Sequence, residues 1–261
     1  MDFMTGPLRA RVAGQAVMAE TLRLQAGTPR RRPLARLFGA NPLAPEARSW
    51  YTGAVGEMRV AKALAKLGPE WHVLHSLPVG SRGADIDHLV IGPGGVITLN
   101  SKNHARKDVW VAGSVLLVNG QHQRYLRNSA HEAKRVAAAL TAAVGREVPV
   151  RAAVVLVAPR RLTIRRVPEG AAAVTDSQLR RWLTRQPEAL TADDAARLAA
   201  AAAEPATWGH RQAPADDPSA TRMSFGALHS EVMGAQLRRL TWGAGAVLTA
   251  LGAAAGGVWL R

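Results

Sequence analysis

The chemistry open to this chain is concentrated in two short neighbouring runs. Asp85 and Asp87 lie two residues apart in the first; Asn100, Lys102 and His104 follow at the same spacing in the second. Side chains alternate faces along a strand, so Asp85 and Asp87 share one side, and Asn100, Lys102 and His104 share one side of the next strand. Two adjacent strands then present carboxylates, an amide, an ammonium and an imidazole to one patch. Such a set suits phosphodiester hydrolysis. That reaction uses a hard divalent cation held by oxygens, acting as a Lewis acid, and a positive charge beside the attacked phosphorus. Asp87 stands between Ile86 and the apolar Leu89-Val90-Ile91, where an unpaired buried acid is costly, so its presence argues for a use.

The surrounding segment, GSRGADIDHLVIGPGGVITLNSKNH at 80–104, is preceded by Gly56-Glu57. The ordered combination of Gly56, Glu57, Ile86, Asp87, His88, Gly92, Pro93, Gly95, Val96, Lys102 and Asn103 resembles the nuclease-related domain family, a branch of the restriction-endonuclease-like nucleases. The resemblance spans about residues 53–128, less than half the chain. It implies an α/β fold with a restriction-endonuclease-like mixed sheet flanked by helices, and a Mg2+ or Mn2+ site. By resemblance Asp87 is the main metal ligand, Glu57 contributes from a helix, and Ser101 offers its backbone carbonyl. Lys102 orients the water or stabilises charge on the phosphorus.

Asn100 departs from that pattern, because it stands where the superfamily has Glu, Asp or Gln. An amide oxygen binds Mg2+ but brings no negative charge. Asp85 either restores a second carboxylate beside Asp87 or caps the turn after Gly83. His104 is either a neutral base or a surface residue. Gly92-Pro93-Gly94-Gly95 lacks a following Lys-Ser/Thr and leads into a strand, so it reads as a tight turn rather than a phosphate cradle.

The elements that must position these residues follow from periodicity. Residues 50–67 carry a helical apolar stripe stopped by Gly68-Pro69. Residues 71–77, 84–91 and 95–101 read as a three-stranded meander, and 109–111 with 115–118 as a further hairpin. A basic amphipathic helix is predicted over 128–144, then a buried apolar strand over 150–157. Residues 176–184 and 191–203 read as capped helices. The predicted organisation is a basic, partly disordered arm at 1–47 with one short helix at 15–25, and the nuclease-related domain at 48–160. A helical extension at 161–204, a linker at 205–222, a juxtamembrane segment at 223–239 and a transmembrane helix at 240–260 complete it.

The formal net charge is +15, which suggests a polyanionic partner, nucleic acid or anionic lipid. Only five of the 34 basic residues are lysine, at 62, 66, 102, 107 and 134, so a coding bias toward Arg, Ala and Gly is the competing explanation. Arg82, His104, Arg127, Lys134 and Arg135 are the candidate nucleic-acid contacts; a plain solvated face is the other reading of the helix at 128–144. There is no cysteine, which excludes disulfides and thiolate metal sites and fits a reducing compartment.

The N-terminus lacks a secretory signal's apolar run, whereas 240–260 contains no charged residue. With Trp242 and Trp259 near its ends and Arg238 and Arg239 before it, that run predicts a single-pass membrane anchor with the N-terminal domain cytoplasmic. Gly252 and Gly256 add a weak homodimer contact through the span. Three functions remain open: a membrane-anchored metal-dependent nuclease on DNA or RNA, a catalytically weakened nucleic-acid binder, and a membrane-surface scaffold.

Overall fold

The computed structural model describes residues 7–29, 31–78, 85–209 and 217–258, with side chains described as far as 245. A 3-10 turn (Pro7–Ala10) leads into α1 (Gln15–Gln25), α2 (Pro33–Leu37) and α3 (Ala47–Leu64). Then come β1 (His72–Pro78), β2 (Asp85–Gly92), β3 (Gly95–Asn103), β4 (Asp108–Ala112), β5 (Val115–Val118) and β6 (Gln121–Gln123). The chain continues through α4 (Tyr125–Val144), β7 (Val150–Val157), β8 (Arg161–Arg166), β9 (Ala172–Thr175), α5 (Leu179–Thr184) and α6 (Ala192–Ala203). A second 3-10 turn (Pro205–Trp208) and α7 (Pro218–Val258) complete the described chain.

Two mixed sheets form, where a single one was predicted. The larger has the order β1-β2-β3-β7-β9, with an antiparallel β1-β2-β3 meander and parallel β3-β7 and β7-β9 pairs. The smaller has the order β6-β5-β4-β8. The reason for the split is that β4, which follows the central strand β3 of the main sheet, pairs in parallel with β8, a strand of polar alternation that periodicity alone did not reveal.

Parallel β3 and β7 need a long crossover, and the small-sheet hairpin plus α4 supplies it. Val96, Leu89 and Ile91 pack with Val136 and Leu140 of α4 and Leu198 of α6 on one face. Val90, Ile97 and Leu99 pack with Val60 and Leu64 of α3 and Leu179 and Leu183 of α5 on the other. Strand alternation thus assigns odd and even residues of β2 and β3 to different helices.

The segment expected as a basic arm carries α1, which joins α7 and α3 in a satellite core of Met18, Leu43, Tyr51, Ala54, Phe225, Leu228 and Val232. This packing bears on the predicted membrane span. Among the described residues no helix is long and apolar enough to cross a membrane, so the single-pass anchor, the membrane localisation and the dimer built on it are not supported. The run at 240–260 begins inside the 41-residue helix α7, whose first half carries charges and packs on α1. Ala and Gly dominate the run and contribute little insertion energy. Trp242, expected as an interface anchor, donates its Nε1–H to the Leu37 carbonyl (3.0 Å) and lies against Phe38. Gly39 permits that approach: a Cβ there would come 2.3 Å from the Ala235 carbonyl oxygen. The position of Trp259 lies outside the described residues.

Candidate active site

Three strand residues and one helix residue converge near the start of β2 and the end of β3. Asp87 on β2 lies beside β3, and its Oδ2 accepts the Ser101 backbone N–H at 2.5 Å. Asn100 and Lys102 share the face of β3 that looks toward α4. The Lys102 Nζ donates to the Asn100 Oδ1 and also lies 5.6 Å from the centre of the Tyr125 ring of α4. Ser101, of opposite parity, turns its hydroxyl to the His88 Nε2 on the α3 side (3.3 Å).

Glu57 is contributed by α3 and is buried. Gly56 lets the helix approach, because a Cβ there would meet the Asn103 Cβ at 3.2 Å; the Asn103 amide in turn donates to the Thr52 carbonyl (3.0 Å). The Gly-Glu and Lys-Asn pairs of the sequence therefore meet across one helix-strand contact.

The electrostatics are those of acids crowded in a poorly solvated recess. Burial raises the Glu57 carboxyl well above its ordinary range, and the Asp87 charge raises it further, while Lys102 and a hydrogen bond from the Gly14 backbone lower it. Burial likewise pushes Asp87 up to about 6, against the pull of Lys102 and the Ser101 N–H, and the charge of Glu132 adds to the rise. Like charges held together out of water favour either a shared proton or a bound cation. The oxygen donors present suit a hard cation: the Asp87 and Glu57 carboxylates, the Asn100 amide and the Ser101 carbonyl. Among the described residues no group of three or more His, Asp or Glu side chains is placed to hold a metal ion.

Other candidates have different surroundings. Asp85 faces Arg11 of the N-terminal segment at 3.5 Å, an ion pair beside the site whose charge still reaches Glu57. Arg11 is buried, and burial lowers its proton affinity despite Asp85. His104 stacks on Tyr125, with ring centres 5.6 Å apart, and burial pushes it down to about 4, so it is neutral at pH 7. Arg82 lies outside the described residues. Arg127 and Lys134 line a cleft of about 460 Å³ with Arg124 and His131, and Arg135 is exposed on the same helix. The cleft adjoins a larger groove of about 1090 Å³ bearing Arg151, Arg181 and Arg185.

Two contributions escaped the sequence reading. The segment around residues 11–14 walls the site through Arg11 and Gly14. Glu132 of α4 accepts the Asn100 Nδ2 at 2.9 Å. The one signal for Glu132 in the sequence was that it is the sole carboxylate in an otherwise basic helix.

No curated protein and no solved structure matches the chain. The family model of the nuclease-related domain matches residues 52–157, which hold Glu57, Asp87, Asn100, Lys102 and Glu132. Over residues 52–157 the chain is therefore similar to the nuclease-related domain family, consistent with a restriction-endonuclease-like domain in that segment.

Proposed function

We propose that this chain hydrolyses phosphodiester bonds in DNA or RNA with a divalent cation held at Asp87. The observation that carries the reading is the buried pair Glu57 and Asp87 beside Lys102, within a nuclease-related domain. A bound Mg2+ or Mn2+ would supply Lewis-acid activation. The protein's own residues do the rest. The Ser101 N–H fixes one Asp87 oxygen and leaves the other for a ligand. Glu57 adds a second anionic group from α3. Lys102, steered by the Asn100 oxygen and the Tyr125 face, carries the positive charge that offsets negative charge growing on the phosphate. Arg127 and Lys134 in one cleft, and Lys134 with Arg151 in the groove beside it, would hold a polyanion through its phosphates.

The amide at position 100 favours a second reading, in which the same surface binds nucleic acid without cutting it. One experiment separates them. The purified full chain is incubated with labelled single-stranded and duplex DNA and RNA in Mg2+ or Mn2+, and in chelator. Cleavage that chelator stops, and that Asp87→Ala and Lys102→Ala each abolish without loss of fold, supports the enzyme. Binding without cleavage supports the second reading, and undiminished cleavage by either variant refutes the mechanism.

A further inference from the structure

The acid missing from position 100 has a neighbour in its place. Glu132 projects from α4, the helix packed on β3 and β7. It is the only carboxylate among the twenty residues of that helix, flanked by His131 and by Lys134 and Arg135. It is partly buried, and its Oε2 accepts the Asn100 Nδ2–H at 2.9 Å. The other end of the same amide, Oδ1, accepts the Lys102 Nζ. Carboxylate, amide and ammonium therefore stand in line.

An amide can turn either end toward a neighbour, and here charge decides which. The Glu132 carboxylate takes only the N–H end, and the Lys102 ammonium takes only the oxygen end. We infer that Glu132 is a positioning residue that supplies, through Asn100, the negative charge position 100 lacks, and that it turns the Asn100 oxygen toward Lys102 and the cation site. This inference rests on the metal-dependent reading above. In physical terms the site has moved its carboxylate from strand to helix and bridged the gap with an amide. Groups that orient a metal's ligands typically change affinity by about 10- to 100-fold when lost.

The test exchanges the two side chains in the full-length protein and reads Mn2+ affinity by titration calorimetry, with cleavage as a second readout. Glu132→Gln keeps size and an acceptor for Asn100 while removing charge, so Mn2+ affinity should fall by roughly 10-fold or more. Glu132→Asp, which keeps the charge, should retain more affinity than Glu132→Gln. The double exchange Asn100→Glu with Glu132→Gln returns a carboxylate to the strand and should recover most of the loss. A merely structural Glu132 gives no such rescue. Unchanged Mn2+ affinity in Glu132→Gln, or a double exchange no better than the single variant, overturns the inference while leaving the metal-dependent reading standing if the native protein binds and cleaves. A native protein that shows no saturable Mn2+ binding overturns both.

Discussion

Replacing Asp87 by Asn should stabilise the metal-free fold while destroying the proposed site. The Asp87 carboxyl, in its recess beside Glu57 and Glu132, is pushed from 3.8 to about 6, chiefly by burial. At about 1.4 kcal/mol per pH unit, that displacement corresponds to a penalty of up to ~3 kcal/mol at neutral pH. Asp87 keeps some solvent contact, and screening reduces the figure to about 1–2 kcal/mol. An Asn at this position retains an oxygen for the Ser101 N–H, so the main change is loss of the charge. In a chain of this size the gain is roughly 2–6 °C in melting temperature.

The sign follows from linkage. A carboxyl whose folded pKa is raised costs nothing while it is protonated in both states, below about 3.8, and costs progressively more as pH rises toward about 6. The advantage of Asp87→Asn should therefore be full at pH 7.5 and nearly gone at pH 4. Thermal unfolding in chelator at both pH values measures it. Saturating Mn2+ should then reverse the order at pH 7.5, since about 100 times Kd adds ~2.7 kcal/mol to the protein that binds it. A variant less stable than the native protein in chelator at pH 7.5, or an advantage unchanged at pH 4, would refute the reasoning.

Three further outcomes are expected. His75 bonds the buried His88 at 2.8 Å and is pushed down to about 4 by burial, so its stabilisation is lost as pH falls from about 6.5 toward 4. Urea midpoints at pH 7 and 5 should differ less in His75→Gln than in the native protein, by about 1 kcal/mol in stability; an equal difference counts against it. Affinity for nucleic acid should fall steeply with salt, and Arg127→Ala and Lys134→Ala should each lower the log-log slope by about 1, measured by fluorescence anisotropy. Phe225 of α7 is fully buried against Tyr51. Phe225→Ala should cost about 3–5 kcal/mol in calorimetry or denaturant unfolding, whereas a neutral result would mean that α7 does not share the fold's core.

The local code of this protein is legible in its sequence. Apolar alternation marks the β1-β2-β3 meander, the continuous run marks β7, and the helical stripe marks α3, because burial on one or both faces writes a period directly into residue order. The ordered Gly-Glu, Ile-Asp-His and Lys-Asn motifs likewise mark the nuclease-related domain, since strand parity puts Asp87, Asn100 and Lys102 where they can meet. What the sequence leaves open depends on contacts between distant residues. Strand β8, polar and half-exposed, is a strand only because β4 offers it an edge. The uncharged run after Arg239 has a span's length, yet among the described residues no helix is long and apolar enough to cross a membrane, and the helix that carries the run buries Phe225 and Val232 of its earlier turns against α1 and α3. The carboxylate beside Asn100 lies 32 residues further on, brought there by the packing of α4 across the parallel β3-β7 pair. One-dimensional spacing records which way a side chain points along its own element. Only tertiary packing decides which charge it faces.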